Sequence, residues 1–196
     1  YAKKIQDAIL PSAETMKSLL PDSFSLYLPK DVVSGDFYWV HKDDTGTYFS
    51  ASDCTGHGVS GAFMSIIGLS LLSELVGNQN IKEVDEILFK MRDYIINALH
   101  QTGKVGETRD GMDMALCKIS GSKLEYAGAF NPLIIIRGGE VIETKADQQP
   151  IGLYIGEKAP FTKHEVKIEK GDMIYVFSDG YQDQFGGPKN RKYMSG

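Results

Sequence analysis

Asp36, Asp53 and Asp179 have the strongest claim to chemistry in this chain. Each sits at one end of an apolar, strand-like run and close to a glycine. Runs over 35–41 and 47–53 flank Lys42-Asp43-Asp44-Thr45-Gly46, a hairpin turn signal. With the turn centred between Asp44 and Thr45, facing residues have numbers that sum to 89. Asp36 then faces Asp53, Tyr38 faces Ala51 and Val40 faces Phe49. One face of the hairpin is apolar until its open end, where two carboxylates meet. Facing Cβ atoms lie about 4.5–5.5 Å apart, and like charges placed there destabilise the pair. A hard divalent cation such as Mg²⁺ or Mn²⁺, which favours carboxylate and carbonyl oxygens, removes that penalty. A slip of one residue would put the aspartates on opposite faces; they would then be ordinary strand-end carboxylates in solvent.

After Asp53 the chain leaves the strand through Cys54-Thr55-Gly56-His57-Gly58 and enters a helix. Gly56 and Gly58 allow the main chain to approach a ligand closely, and a helix start favours an anion such as phosphate. His57 reads as a general acid, a phosphate donor or an exposed loop residue, the last being the commoner outcome for such a histidine taken alone. A second apolar run, 173–178, ends in Asp179-Gly180, whose plain alternative is an Asp-Gly turn. Asp172, following Gly171, fits that alternative well. Asp110 and Asp113 flank Gly111-Met112 at a strand start, where capping or turn roles are the default.

The elements that must position these residues follow from periodicity. Helices are expected over 1–10 (Ala2, Ile5 and Ile9 at helical spacing), 13–20, 58–76 and 81–99. Further strands are expected over 23–29 (Phe24, Leu26 and Leu28 on one face), 112–119, 123–128, 133–137, 140–143, 162–168 and 173–178. Tight turns fall at 121–122 and 138–139, and a polar, mobile loop with Gly103 and Gly106 over 101–110. Strands, two adjacent helices and more strands suggest an α+β layered sandwich. With 196 residues, 42% hydrophobic and 24% charged, this is one globular domain. A net charge of -5 argues against nucleic acid or an anionic membrane as partner. No run of 18 uncharged apolar residues appears; the nearest, 62–76, carries serines and Glu74 and reads as a buried helix, so no membrane contact is expected. Cys54 and Cys117 make neither a disulfide framework nor a zinc site, so a reducing cytoplasm is expected. Both ends look cut, as in a fragment of a larger protein.

The run Asp31-Val32-Val33-Ser34-Gly35-Asp36-Phe37-Tyr38 resembles the first motif of bacterial SpoIIE/RsbU-type phosphatases, a branch of the PPM (protein phosphatase 2C-like) family. Asp53 to Gly58 with Gly61-Ala62 resembles their second motif. Tyr126 to Leu133, Pro150-Ile151-Gly152-Leu153 and Gly171 to Gly180 resemble later ones in order, and Ile5-Gln6 to Leu10-Pro11 the preceding linker helix. The resemblance implies an antiparallel β-sandwich flanked by helices with two Mn²⁺ or Mg²⁺ ions. Asp53 would bridge them with the Cys54 carbonyl in one shell, Asp36 would serve one ion and Asp179 the other. His57 would be the acid for the leaving oxygen, and Asp110 would hold a loose third ion. It further implies a linker helix over 1–11 and a catalytic domain over 12–196 whose last motif, a strand with another metal-ligating aspartate, is missing. Trp39 stands where relatives often carry an acidic residue, and Ala129 where they often carry a histidine.

The expected activity is removal of phosphate from phosphoserine or phosphothreonine on a protein, of the anti-sigma-factor-antagonist type in the family. An upstream sensor in the same polypeptide and a dimer through the N-terminal helix are expected with it, in a cytoplasmic protein anchored, if at all, elsewhere. Two alternatives stay open: a phosphatase-fold module that only binds a signalling partner, and a hydrolase of small phosphoesters. No Gly-rich nucleotide loop supports the latter.

Overall fold

The β1–β2 hairpin keeps the expected register. The computed structural model describes residues 1–104, 107, 109–154, 159–186, 188 and 191–192. β1 (Phe37–Lys42) pairs with β2 (Thr47–Cys54) from Phe37↔Ser52 to Lys42↔Thr47, each pair summing to 89. Asp43 pins the turn: its Oδ1 accepts the N–H groups of Thr45 at 2.7 Å and Gly46 at 3.1 Å. A turn locked in this way fixes which side chains share a face.

From this hairpin a larger sheet grows by antiparallel pairing. β3 (Gly111–Ser120) lies beside β2, followed by β4 (Lys123–Ala129) and then β8 (His164–Lys167). The two-residue strand β7 (Ile151–Gly152) pairs with the start of β3. A second sheet has β5 (Leu133–Arg137) between β6 (Glu140–Thr144) and β9 (Met173–Tyr175). β10 (Phe185–Gly186) and β11 (Arg191–Lys192) form a small separate pair.

Side-chain alternation splits the core into two layers. Phe37, Trp39, Tyr48, Met112, Met114 and Leu116 face the helices α3 (Gly58–Leu72) and α4 (Val84–Ala98). Leu72, Ile87, Leu88, Met91 and Ile95 fill that layer from the helix side. Replacing one such Leu by Ala costs about 2–5 kcal/mol. On the other face, Phe49, Ala115, Cys117, Leu124 and Tyr126 meet Leu133, Ile135, Ile174 and Val176 of the second sheet. This is the expected α+β antiparallel sandwich flanked by helices. Gly68 lets α3 press on β1: a Cβ there would lie 2.7 Å from a ring carbon of Phe37.

Several expectations need correction. Residues 23–29 form no strand; Phe24, Leu26 and Leu28 are 74%, 75% and 77% exposed. Tyr27 docks instead, its hydroxyl donating to the Asp36 carbonyl and its ring meeting Tyr38 edge-on. Alternation tells which residues share a face, but not whether a neighbouring strand is there to accept the ladder. In α1 (Ala2–Ile9), Ala2, Ile5 and Ile9 are exposed, while polar Gln6 is buried. The long apolar helix closes with a π-helical turn, Ser73–Asn78. Over Gly58–Asn78 it is long and apolar enough by length and composition to cross a membrane, although Glu74 interrupts the run as the sequence count found. Half of that stretch is buried in the domain, packed on the first sheet. The strand expected over 173–178 stops at Tyr175, and β7, β10 and β11 had not been expected as strands. Gly106 and most of 189–196 lie outside the described residues, as does part of the 101–110 loop.

Candidate active site

Extending the hairpin register one step past Phe37↔Ser52 places Asp36 opposite Asp53, on the face that looks into the inter-sheet layer. On the other side of β2, Asp53 is paired with Asp113 of β3. Asp113 shares its face with Ala115 and Cys117, both in the inter-sheet core. The chain beyond β9 comes to the same place. Ser178 donates its hydroxyl to Asp36 Oδ2 at 2.8 Å. A Cβ on Gly180 would lie 3.4 Å from that same oxygen. Four aspartates, from the end of the hairpin, the start of β3 and the turn after β9, therefore converge at one end of the sandwich.

Their electrostatics follow from that convergence. Burial, then the charges of Asp36 and Asp179 and hydrogen bonds shared with them, push the Asp53 carboxyl well above the usual carboxylate range. Burial and the charge of Asp179 push Asp113 up to about 6. The Cys54 thiol is raised by burial and by Asp53, Asp36 and Asp113. The charges that raise these carboxyls are all negative, and no cationic side chain among the described residues is paired with Asp53 or Asp113.

The loop after Asp53 is packed main chain to main chain. A Cβ on Gly35 would sit 2.9 Å from the Cys54 carbonyl oxygen and 3.0 Å from that of Gly56. One on Gly61 would sit 2.7 Å from the Gly56 oxygen. Only glycine fits this crossing, and the Cys54 carbonyl is held beside the aspartates by it. Thr55 ties the loop to β3, donating its N–H to the Gly111 carbonyl at 3.0 Å and accepting the Gly111 N–H on its hydroxyl at 3.2 Å.

His57 does not join the aspartates: its side chain is 87% exposed and lies 3.4 Å from Asp31. Asp110 sits at the entrance to β3, its carbonyl accepting the Gln101 side-chain amide at 2.6 Å. Trp39 is buried on the helix side, its indole N–H directed to Ser73, so an acidic residue there would face away from Asp36. Ala129 is buried in the helix-side core. Asp172 is taken up by Arg137. Asp113, assigned a turn or capping role from sequence, is the member of the cluster that was missed. The alternation Asp113, Ala115, Cys117 was the signal that could have found it.

The donor set suits a hard divalent cation: clustered carboxylates, with no cationic side chain paired to Asp53 or Asp113 among the described residues. In their present positions, no three described His, Cys, Asp or Glu side chains are arranged to hold an ion.

A family model described as Stage II sporulation protein E (SpoIIE) matches residues 43–194, which include Asp53, Asp113 and Asp179. Comparison with curated protein sequences gives no match. Among solved structures, the SiaA-PP2C domain of Pseudomonas aeruginosa aligns over 100% of this chain and 76% of its own, with TM-score 0.85 and 29% identity. The phosphatase domain of SpoIIE from Bacillus subtilis, with a fragment of its regulatory domain, aligns over 76% of this chain and 41% of its own, with TM-score 0.59 and 21% identity. RsbX in complex with magnesium aligns over 76% and 68%, with TM-score 0.54 and 16% identity.

Proposed function

The chain belongs to the SpoIIE family of PP2C-like phosphatase domains, and from that premise we propose that it removes phosphate from phosphoserine or phosphothreonine on a protein, using divalent cations held by Asp36, Asp53 and Asp179. The observation that carries this reading is the convergence of these carboxylates, with Asp113, at one end of the sandwich without a counter-ion among the described residues. The magnesium complex of a structural neighbour supports the choice of Mn²⁺ or Mg²⁺.

Asp53, which interacts with both Asp36 and Asp179, would hold the cations together with them, and the carbonyl of the next residue, Cys54, would supply a further oxygen. When bound, the cations neutralise the phosphoryl charge and lower the pKa of a water that attacks phosphorus. Ser178 orients Asp36 by donating to Oδ2. Gly35, Gly56 and Gly61 hold the loop close enough for main-chain oxygens to contribute. His57 serves as leaving-group acid only if its side chain turns from Asp31. Asp110, at the entrance of β3, is the proposed anchor for a weaker third ion.

The substrate we propose is a signalling regulator of the anti-sigma-factor-antagonist type. Residues 1–11 end a transmitting helix below a sensor, and 12–196 make up the catalytic domain. The exposed Ile5 and Ile9 support a dimer contact through α1. A cytoplasmic location goes with this role. The competing reading is a module that binds a partner without turnover. It is favoured by the absence of an ion-ready triad among the described residues.

The discriminating assay follows phosphate release from a phosphoserine protein and from p-nitrophenyl phosphate, with Mn²⁺ and with chelator. Mn²⁺-dependent release from the phosphoprotein, lost in Asp53→Asn, is expected. No release from either substrate, with partner binding retained, would favour the non-catalytic module. Release from the small ester alone would favour the small-phosphoester hydrolase.

A further inference from the structure

Helix α1 buries a single residue, and it is polar: Gln6, 3% exposed. A buried amide costs stability unless it is hydrogen-bonded, and both ends of this one are used. Gln6 Oε1 accepts the N–H of Ser34 at 3.0 Å. Its Nε2 donates to the Ser34 carbonyl at 2.7 Å and to the Ser65 hydroxyl at 2.9 Å. A side chain that pairs with both the N–H and the C=O of one residue fixes that residue's main chain as a neighbouring strand would.

What Ser34 does next gives the clamp its consequence. The Ser34 hydroxyl accepts the N–H of Asp36 at 3.1 Å. Between them, Gly35 is wedged against the Cys54 and Gly56 carbonyls, and a Cβ on Gly61 of α3 would lie 2.9 Å from its Cα. The Ser34–Asp36 segment is thus held by α1 through Gln6, by α3 through Gly61 and Ser65, and by the exit of the hairpin. Asp36 lies one residue before the β1 ladder begins, so these contacts set its main chain where regular pairing does not.

We propose that Gln6 is a positioning residue for Asp36: by clamping Ser34 it couples the docking of α1 to the geometry of the carboxylate cluster. The plain alternative is that Gln6 only anchors α1 on the domain. The predicted effect on metal binding rests on the phosphatase reading above; the clamp itself does not.

The test is amide hydrogen exchange on the metal-free chain, followed by Mn²⁺ titration, for wild type, Gln6→Ala, Ser34→Ala and the double variant. Gln6→Ala should speed exchange at Ser34 and Asp36 while leaving β3 amides such as Leu116 unchanged. Ser34→Ala keeps the main-chain clamp, so it should speed exchange at Asp36 alone. Each variant should weaken Mn²⁺ binding by about tenfold, the low end for an outer-shell partner, and the double variant no further. Exchange that rises uniformly, or an Asp36 amide that does not respond, overturns the proposal. So does unchanged Mn²⁺ affinity beside a protected-to-exposed change in exchange. If wild type binds no Mn²⁺ but the local exchange pattern appears, the metal reading fails and the clamp stands. Should Gln6→Ala not fold, Gln6→Glu, which keeps the acceptor for the Ser34 N–H but loses the donations to the Ser34 carbonyl and Ser65, decides: faster exchange at the Asp36 amide supports the clamp, and an unchanged one overturns it.

Discussion

Asp172 and Asp53 look alike in sequence, each an acid near a glycine at the end of an apolar strand, yet the fold treats them in opposite ways. Asp172 is gripped by Arg137 Nε at 2.8 Å and Nη2 at 2.7 Å, and it accepts the Glu169 N–H at 2.8 Å. The Arg137 hydrogen bonds hold its carboxyl down to about 2. Asp53 has the reverse environment, with burial and two further carboxylates raising it. One acid is neutralised from within and serves a turn. The other has no cationic partner among the described residues, and that difference separates a structural aspartate from a candidate ligand.

The comparison breaks most sharply on substitution. Asp53→Asn should abolish Mn²⁺-dependent phosphate release, a loss beyond the roughly 10–100-fold that an outer-shell partner costs. Asp172→Asn should leave turnover at the wild-type level while lowering the melting temperature. Equal losses of activity in the two variants would erase the distinction.

A smaller effect is expected from metal alone. Mn²⁺ at about 100 times its Kd should stabilise the wild-type chain by about 2.7 kcal/mol, a rise of roughly 5–10 °C in Tm for a domain of this size. Asp53→Asn should show no rise, and Asp172→Asn should show the full one. Thermal melts with and without Mn²⁺ check this.

The pH dependence should run in opposite directions for the two acids. The folded state binds the Asp53 proton more tightly than the unfolded chain does. In metal-free protein this carboxyl therefore costs stability as pH rises above its unfolded value near 3.8. Asp53→Asn should then melt higher than wild type without metal, by a margin that grows from pH 4 to pH 8. Asp172 is depressed, so its contribution is present above pH 4 and fades as pH falls towards 2. Arg137→Ala should lower Tm by a few degrees at pH 7 and by less near pH 2, where Asp172 is being protonated and the bond to the Lys167 carbonyl remains. Melts across pH on both variants would show the curves diverging; parallel curves would contradict the assignment.

Much of this site was legible because one short turn sets a register. Asp43 locks the hairpin, and every paired residue in it could be read from the position of that turn. Asp36 and Asp53 followed from the register, and the helix after Gly58 from its glycines and apolar run. Asp179 was legible only as the end of an apolar run, since what brings it to Asp36 is pairing between distant strands. Asp113 was misread because Asp110-Gly111 resembles a turn, which drew attention from the alternation that follows. The 23–29 stretch has strand composition but pairs with no strand among the described residues, and neighbours are a property of the whole fold. In α1 the apolar spacing pointed to Ile5 and Ile9, whereas the packed contact is made by Gln6 through hydrogen bonds that no hydropathy pattern records. β7 has only two residues, too few for any periodicity to register.

Calorimetric titration of Mn²⁺ into the wild-type chain and Asp53→Asn tests the central claim most directly. The account predicts saturable binding to the wild type that is absent in Asp53→Asn, with both chains folded before the first injection. Equal binding by the two chains, or none by either, would contradict a shared cation site at these aspartates.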